Sequence, residues 1–371
     1  MAILILALSG RTLAQAAERA GAEIMLADFF GDMDARALAP WYPLPGTLED
    51  GIAGSELLVW LRTLRQPIDG IVYGAGFEGD PTLLIELSRI APLIGNSSQV
   101  VAAIKDPFAF AELLRDLRLP HPEVCAVPQP DIHWLRKRRG GSGGSHIERV
   151  ATSSIAVDVA HYIQAVAPGR PVSALFVANG REAQVIGFSV QWVAATPAQP
   201  FRYGGCAGPV RLAPKLEDEI ARACHAIAAA TGLVGINSLD MLIEGDGFTI
   251  LEVNPRPGAT LDLFDALGGA SLWQCHINGV HGQLPARGVF ETASARAAMV
   301  LYADQPRYIP PALEWDTGFA DIPAPDSRIA AGRPICTVIA IAANPRAARS
   351  LAQKRAAALL DRLPLVLQES A

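Results

Sequence analysis

Short apolar runs alternate with helical patterns along residues 1–98. In the helical segments, apolar side chains recur every three to four positions, whereas the runs between them are continuous. The pattern predicts, in chain order, strand Ala2–Leu8, helix Thr12–Ala20, strand Glu23–Asp28, strand Gly70–Tyr73, helix Pro81–Ile90 and strand Leu93–Gly95. Strands that alternate with helices indicate an α/β protein whose N-terminal domain is doubly wound.

Longer strands and helices follow in the rest of the chain. The pattern predicts helix Lys105–Leu119, strands His133–Arg139, Val172–Ala178 and Ala183–Val193, helix Leu216–Thr231, strands Gly235–Ile243, Phe248–Val253, Ala297–Tyr302 and Cys336–Ala342, and helix Ala347–Arg362. Asn179-Gly180 between two of these strands is a strong hairpin signal. The only low-complexity segment is the glycine-rich stretch 140–145.

Composition narrows the class of protein. Half of the 371 residues are hydrophobic, and the net charge is −6. An acidic chain of this kind argues against a nucleic-acid partner, which requires a basic surface. No apolar run reaches the roughly 18 residues of a membrane span, and Met1–Leu8 has no basic leader, so it predicts a buried strand rather than a signal peptide. Five scattered cysteines without C-x-x-C spacing predict reduced thiols in the cytoplasm.

The segment from Ile250 to Pro257 carries the strongest chemical signal. Glu252 and Asn254 are two apart on a predicted strand, so both project from one face. If the hairpin loop is Gly245–Gly247, with Gly247 in the left-handed conformation, Asp240 pairs directly with Glu252. The three oxygen-bearing side chains then form a site of the kind that Mg²⁺ prefers, with Mn²⁺ as an alternative. The competing interpretation is an ordinary hairpin with solvated acids, against which Leu242 and Ile250 are expected to share this face.

Lysine is rare in this chain, which gives weight to two of its positions. Only four of the 31 basic residues are lysines. Lys137 ends a predicted strand, where its ammonium group is able to reach a nucleotide phosphate or base. A loop follows in which glycines allow backbone N–H groups to approach phosphates: Gly140, Gly141, Ser142, Gly143, Gly144 and Ser145. The alternative is a flexible linker after a solvated basic run. Lys105 lies at the start of a predicted helix.

Arginines supply further candidates. Arg256 follows the acidic strand, where it is placed to stabilise a phosphoryl group in transfer. Arg202, in a glycine-rich segment, is a candidate for holding a substrate carboxylate or an acyl phosphate, and a plain loop is the equal alternative. Phe77-Glu78 and Gly10-Arg11 follow predicted strands, where doubly wound sheets bind ligands, although a structural role is more common for such residues.

In this order the motifs resemble the ATP-grasp superfamily. The resemblance rests on Lys105, Lys137, the glycine loop, Asp240 and the E-x-N-P-R segment Glu252–Arg256. It implies ATP and Mg²⁺ as cofactors, with both lysines and the loop on the nucleotide and with Asp240, Glu252 and Asn254 on the metal. It further implies catalysis by Arg256, Lys137 and Arg202. The acid that usually holds the ribose is missing, and Gln164 is the nearest polar substitute.

The resemblance also implies a domain organisation. Residues 1–98 form the N-terminal α/β domain. Residues 99–295 form the ATP-grasp domain, with a small lobe at about 99–165 and a large lobe at about 166–295. Residues 296–371 form a C-terminal subdomain that completes the large lobe and is similar to that of biotin-carboxylase-like relatives. A homodimer is the default expectation for assembly.

The implied activity is ATP-dependent joining of a small-molecule carboxylate to an amine through an acyl phosphate. The segments 9–14, 27–32 and 74–78 look like those of small ATP-grasp proteins linked to one-carbon cofactor biosynthesis; in the methanofuran-type pathway such a ligase couples glutamate to tyramine. Two alternatives stay open: a carboxylase-type enzyme that activates bicarbonate, and a nucleotide-binding regulatory module without turnover. An NAD-binding protein is disfavoured because Ser9-Gly10-Arg11 is not G-x-G-x-x-G.

Overall fold

A parallel sheet opens the structure, which is a computed structural model that describes residues 2–129, 132–150, 158–265, 271–286, 288 and 292–366. Its strands have the order β3-β2-β1-β6 and are all parallel. The elements of this region are β1 Ala2–Leu6, α1 Arg11–Arg19, β2 Ile24–Asp28, α2 Met33–Arg36, β3 Trp41–Pro43, β4 Gly46–Thr47, β5 Gly51–Ile52, α3 Gly54–Thr63, β6 Ile68–Tyr73 and α4 Thr82–Ser88. The predicted parallel α/β arrangement is confirmed. The expected strand at residues 93–95 is only an isolated bridge between Ile71 and Leu93.

A small antiparallel sheet follows, in the order β7-β10-β8-β9. Its region contains α5 Ser98–Lys105, α6 Pro107–Asp116, β7 Val124–Cys125, β8 Trp134–Arg138, β9 Ile147–Val150 and β10 His161–Ala165. Lys105 therefore ends a helix rather than starting one, which corrects the prediction. The next helix begins after Asp106, whose carboxylate caps the backbone N–H groups of Phe108 and Ala109, and Pro107 occupies its first turn.

An eight-stranded antiparallel sheet forms the largest layer, in the order β15-β14-β11-β12-β13-β16-β20-β18. The remaining elements are β11 Arg170–Asn179, β12 Ala183–Val193, β13 Tyr203–Val210, α7 Pro214–Thr231, β14 Val234–Glu244, β15 Gly247–Asn254, α8 Leu261–Phe264, α9 Leu272–Val280, β16 Ala295–Tyr302, β17 Arg307–Tyr308, β18 Phe319–Ala320, β19 Arg328–Ile329, β20 Pro334–Ala342 and α10 Pro345–Arg362. The hairpin predicted at Asn179-Gly180 joins β11 to β12 as expected. Because residues 295–342 add strands to the same sheet, the C-terminal segment extends it rather than forming a separate layer.

The acidic hairpin reaches its predicted pairing by a different route. Glu244 pairs with Gly247, so the turn has two residues, and the left-handed glycine is Gly245 (φ 55°) rather than Gly247. A two-residue turn alone would place Asp240 opposite Leu251. A bulge leaves Leu251 without a partner in the ladder and restores Asp240 to its position opposite Glu252.

The bulge also corrects a second expectation about this hairpin. Ile250 pairs with Met241 rather than Leu242. Ile250 packs in a buried apolar cluster with Leu239, Met241 and Val253, and it also lines the cavity that Asp240 lines.

The five cysteines are free thiols, and four of them are buried. In the described part of the chain, none of the helices is both long and apolar enough to span a bilayer.

Candidate active site

A cavity of about 590 Å³ lies where the three main sheets meet. The following predicted site residues line it: Lys105, Lys137, Gly140, Gly141, Ser142, Gly143, Gly144, Gln164, Asp240, Glu252, Asn254 and Arg256. Of the predicted residues, Ser145 and Arg202 are outside the lining. The fold thus gathers residues that are up to about 150 positions apart in the chain around one space.

Three oxygen-bearing side chains converge at the base of this cavity. Ser238 pairs with Asn254 and Asp240 with Glu252 across the hairpin, so the acids and the amide share one face. Asn254 donates its amide N–H to Oδ2 of Asp240 at 3.0 Å. Its Oδ1 accepts from Nζ of Lys105 at 2.9 Å, and Nζ also lies 3.1 Å from Oε2 of Glu252. The amide is therefore oriented with its oxygen beside the Glu252 carboxylate.

The two carboxyl groups experience different electrostatic surroundings. Burial, together with the charge of Glu252, raises the pKa of Asp240. Burial acts in the same direction on Glu252, but Lys105 and Lys137 outweigh it and lower the pKa of Glu252. Gln191 donates to Oδ1 of Asp240 at 3.2 Å from β12, two strands away. A cation beside both carboxyl groups would stabilise their ionised forms.

The donor set fits a magnesium ion that is shared with a nucleotide. Within the described ranges, no group of three or more His, Cys, Asp and Glu side chains is arranged to hold a metal ion by itself. Mg²⁺ commonly takes one or two carboxylates from the protein and obtains its other ligands from phosphates and water. Asp240 and Glu252 supply two carboxylates, and Asn254 adds an amide oxygen. Glu252 and Asn254 already contact the ammonium group of Lys105, so these two side chains stabilise a positive charge.

Lys137 occupies the opposite wall, on the small antiparallel sheet. It lies on β8 and its Nζ donates to Oε1 of Gln164 on the neighbouring β10 at 2.6 Å. Lys137 is 8% exposed, and burial lowers the pKa of its ammonium group, with Lys105 acting in the same direction. Gln164, the expected substitute for the acid that holds the ribose, thus lies on a strand, where it pairs with Leu135. An ammonium group with a lowered pKa in a cavity is a candidate for binding an anion.

The glycine loop packs closely against two other parts of the chain. Gly144 (φ 73°) approaches Phe201 so closely that a Cβ atom would lie 2.0 Å from the Phe201 carbonyl oxygen. The backbone N–H of Tyr203 donates to the carbonyl of Gly143 at 2.8 Å. A Cβ on Gly140 would lie 2.4 Å from Cα of Gly79. The glycines are therefore required for contact with neighbouring protein segments as well as for any approach to phosphate.

Arg256 is anchored at the edge of the cavity by an acid from the first sheet. Its Nε donates to Oε1 of Glu78 at 2.7 Å, and its Nη1 to the Pro257 carbonyl at 3.4 Å. Both side chains are almost fully enclosed, with 10% and 4% exposure. Burial opposes ionisation of Glu78, but Arg256 and Lys105 lower its pKa. Glu78, for which a structural role was the more common expectation, fixes the guanidinium group.

Arg202 lies outside the lining of the cavity, next to the lining residue Tyr302. Its Nε donates to the Ala194 carbonyl at 3.0 Å, its Nη1 donates to the Gly332 carbonyl at 3.1 Å, and the guanidinium lies 3.7 Å from the ring centroid of Tyr302. The segment around it is the start of β13 rather than a free loop. These contacts link Arg202 to the carbonyls that follow β12 and precede β20, and they favour the structural alternative for this residue.

Residues that the sequence pattern did not single out complete the lining. His146 packs against the glycine loop, and burial lowers its pKa to about 4, so it is neutral near neutral pH. Ser238 lies within 3.4 Å of the Asn254 amide nitrogen. At the far end, near the first sheet, are Asp32, Asp262 and Asp321. For Ser238 a signal existed, since it lies two positions before Asp240 on the same strand.

Comparisons with known proteins agree with this geometry. Residues 104–260 match the family model of an ATP-grasp domain. The large chain of carbamoyl phosphate synthase from Rubrobacter xylanophilus is 24% identical over 236 residues, which cover 56% of this chain and 22% of that protein. The Helicobacter pylori protein of the same name is 25% identical over 232 residues, covering 55% of this chain and 21% of its own length. The chain thus matches only about a fifth of these curated relatives.

Solved structures show the same fold over nearly the whole chain. Biotin carboxylase from Campylobacter jejuni superposes with a TM-score of 0.72 at 14% identity, covering 97% of this chain and 91% of that one. L-amino acid ligase from Bacillus licheniformis superposes with a TM-score of 0.72 at 12% identity, covering 99% of both chains. At such identities the likeness concerns the fold alone.

Proposed function

Because the chain contains an ATP-grasp domain, we propose that it is an ATP-dependent ligase that joins a carboxylate to an amine through an acyl phosphate. One observation carries the proposal. The oxygens of Asp240, Glu252 and Asn254 line the same cavity as the ammonium groups of Lys105 and Lys137. Phosphoryl transfer needs both a cation-binding oxygen set and cations for phosphate oxygens, and this cavity supplies both.

Nucleotide binding falls to the wall formed by the small sheet. Lys137 offers a buried positive charge for phosphate oxygens, and Gln164, its hydrogen-bond partner, is the polar group nearest to it for a ribose or base. The loop from Gly140 to Gly144 covers this wall and is held by Phe201 and Tyr203. Positioned backbone N–H groups of such a loop stabilise negative charge without reorganisation.

The phosphoryl-transfer end contains the acids and Arg256. Asp240, Glu252 and Asn254 would hold Mg²⁺, which would supply positive charge to neutralise the phosphates. Arg256 has its guanidinium fixed by Glu78, so it offers a fixed positive charge for the oxygens of the transferring group. Lys105 is able to exchange its present partners for phosphate oxygens.

Two steps follow from this arrangement. An oxygen of the substrate carboxylate attacks the γ-phosphorus; the bond to the β-phosphate oxygen breaks, and ADP leaves with that electron pair. The amine nitrogen then attacks the carbonyl carbon of the acyl phosphate, inorganic phosphate departs, and the amine loses a proton to give the amide. Neither step requires a covalent bond to the protein, so positioning and charge neutralisation supply the acceleration.

For the substrates, we propose glutamate and an aromatic amine such as tyramine, in the biosynthesis of a one-carbon cofactor of the methanofuran type. Support comes from the segments 9–14, 27–32 and 74–78 and from the aromatic lining of the cavity, which includes Phe30, Trp192 and Tyr302. The test is a screen of ADP release over pairs of carboxylates and amines, with glutamate plus tyramine among them. ADP release that needs both members of a pair supports the ligase, whereas no release with any pair contradicts it.

A bicarbonate-activating enzyme is the second candidate. It is favoured by the sequence match to carbamoyl phosphate synthase large chains and by the fold shared with biotin carboxylase. ADP release that depends on bicarbonate and needs no organic acid would select this reading over the amide-forming ligase.

A further inference from the structure

The end of the cavity near the first sheet is strongly acidic. Three aspartates line it: Asp32, Asp262 and Asp321. Asp28 and Asp34 lie close enough to Asp32 that their charges raise its pKa. Of the described residues that line this end of the cavity, Arg11 is the one cation, and it is 2% exposed; Arg296 acts on Asp262 from outside the lining. Five carboxyl groups against these two guanidinium groups leave an excess of negative charge, so the partners of each group decide what this end of the cavity can bind.

Arg11 has no donor left for a substrate. A guanidinium has five N–H donors, and those of Arg11 make five hydrogen bonds to protein side chains. Two go to the carboxylate of Asp262 at 2.7 and 2.6 Å, two to Asp321 at 2.8 and 3.1 Å, and one to Gln15 at 3.0 Å. Arg11 is therefore a structural link, and it offers nothing to the carboxylate of an incoming molecule.

Two further acids are also satisfied within the protein. Asp28 accepts from the backbone N–H groups of Gly10 and Gly31 at 2.9 and 2.8 Å and from the Trp41 indole at 2.8 Å. Asp34 accepts from the backbone N–H groups of Asp321 and Ile322 at 3.0 and 2.9 Å.

Asp32 differs from its neighbours. It is 7% exposed and lines the cavity, and although it precedes α2 its side chain does not cap that helix. Throughout the described residues, no hydrogen bond or ion pair is made by its carboxyl group. Burial first, then the charges of Asp321, Asp28 and Asp34, raise the pKa of Asp32 to about 8, which Arg11 only partly opposes. A buried, unpartnered carboxyl group that faces a cavity is costly unless a ligand completes it.

We propose that Asp32 binds the ammonium group of the acceptor substrate and accepts a proton from it before the nitrogen attacks, so that the second substrate is a primary amine carried on an apolar body. This inference rests on the proposed ligase function and names the chemistry of its acceptor. A cation offsets the negative charge of the cluster, and among the five acids and the residues described around them, Asp32 is the acid whose carboxyl group has no partner.

The other lining residues at this end indicate the apolar body. Phe30 is two positions from Asp32, and Ile335 and Cys336 line the cavity from β20. Cys336 is near enough to Asp32 that the charge of this acid contributes to raising the pKa of the thiol. An acceptor with its own carboxylate, such as an α-amino acid, would place that anion among acids, beside a lining arginine, Arg11, whose donors are already fully bonded. The site therefore selects against amino acid acceptors.

The test compares two nucleophiles on the same enzyme. With glutamate, or the carboxylate that gives the fastest ADP release in the screen, kcat/KM is measured for tyramine and for hydroxylamine, a small nucleophile that is uncharged near neutral pH and traps acyl phosphates as hydroxamates. The quantity of interest is the ratio of the two values, since a loss of folded enzyme cancels from it. Asp32→Asn is compared with Asp69→Asn, the same change at an exposed position of the same domain.

We expect Asp32→Asn to lower the tyramine-to-hydroxylamine ratio by about 10- to 100-fold, the usual worth of a hydrogen bond to a charged group. Asp69→Asn is expected to leave the ratio within about twofold. An unchanged ratio in Asp32→Asn overturns the assignment of Asp32 while leaving the ligase intact. If the wild-type protein forms no hydroxamate with any carboxylate, the ligase proposal itself fails, and the acceptor site with it.

A measurement on the wild-type protein covers the case in which Asp32→Asn does not fold. N,N-dimethyltyramine keeps the positive charge but cannot form the same amide, and 4-ethylphenol keeps a similar ring without the charge. As inhibitors of hydroxamate formation, the first is expected to bind at least about tenfold more tightly than the second. Equal inhibition by both compounds overturns the proposal.

Discussion

The Nζ atom of Lys105 lies 3.1 Å from Oε2 of Glu252, which joins the end of α5 to the acidic strand β15. The same ammonium group holds Oδ1 of Asn254 at 2.9 Å. An oxygen pair that receives an ammonium group in this way is able to receive another cation. In the proposed complex with nucleotide and metal, Lys105 would leave these oxygens and bind the phosphates.

Removing the charge of Glu252 is expected to stop ADP formation. Glu252→Gln keeps the size of the side chain but removes one of two carboxylates in the proposed metal site, so we expect kcat for ADP release to fall at least about 100-fold, in line with loss of a key electrostatic group. The melting temperature should stay close to that of the wild type. Glu244→Gln, an exposed change at the turn end of the same hairpin, is the control and should keep full activity. Full activity of Glu252→Gln would remove this residue from the metal site.

Lys137→Met is expected to weaken nucleotide binding. The substitution keeps the buried stem but removes the ammonium group that Gln164 now holds. We expect the Kd for ATP, measured by calorimetry, to rise about 10-fold or more, as for loss of a charged hydrogen bond. Lys215→Met, at a side chain that is 86% exposed, should leave the Kd unchanged. If both variants bind ATP equally well, Lys137 does not contact the nucleotide.

Substitution of two glycines in the loop distinguishes the effect of a close contact from the effect of backbone strain. Gly143 and Gly144 both have positive φ, at 70° and 73°, but a Cβ on Gly143 meets nothing within 4 Å, whereas one on Gly144 meets the Phe201 carbonyl. Alanine at either position costs about 1 kcal/mol of left-handed backbone energy, and only Gly144→Ala displaces the loop as well. We expect KM for ATP to rise more in Gly144→Ala than in Gly143→Ala, together with faster proteolytic cleavage within 140–145. Equal effects of the two substitutions would argue that the contact with Phe201 has no role.

The pH dependence of folding should include a contribution from His276. Its Nδ1 accepts from the Ile236 backbone N–H at 3.0 Å and its Nε2 lies 2.9 Å from the Ile94 carbonyl, so the folded protein holds the neutral ring. Burial lowers its pKa to about 4, below the unfolded value of about 6.5. The neutral ring is thus fully stabilising above about pH 6.5, and the contribution is lost as the pH falls toward 4.

This loss amounts to about 2 kcal/mol at pH 5, because the unfolded chain binds a proton there that the folded one does not. Urea unfolding at pH 7.5 and pH 5 measures it, and His276→Gln should show a smaller difference between the two pH values. His225→Gln, on the α7 helix, is the control and should retain the wild-type difference. An identical pH dependence in wild type and His276→Gln would contradict the assignment.

Local patterns sufficed for most of the site. The two-residue spacing of Glu252 and Asn254 and their closeness in sequence to Asp240 fix their common face, because a short hairpin leaves few pairings open. The sequence also marks the end of α5 by a local signal in the two residues that follow it. Asp106-Pro107 is a capping residue followed by a first-turn proline, which marks Lys105 as the end of one helix.

Other features depend on contacts that no local pattern contains. Gln191 on β12 reaches Asp240 on β14 because the order of the sheet places these two strands on either side of β11. Arg202 lies beside Gly332, 130 positions away, so its bonding was not predictable from the glycine-rich segment around it. The isolation of Asp32 likewise follows from the partners of its neighbours, which come from both halves of the chain.

The unpaired Leu251 has a consequence for how this hairpin tolerates change in length. Deleting Leu251 would remove the bulge and leave Asp240 opposite Glu252, because without the bulge the two-residue turn places Asp240 opposite the residue that follows Ile250. Deleting Val253 instead would move Asn254 to the face opposite Glu252, because neighbouring residues on a strand point to opposite faces. Related chains should therefore vary in length at the bulge while conserving the count of residues from Glu252 to Arg256.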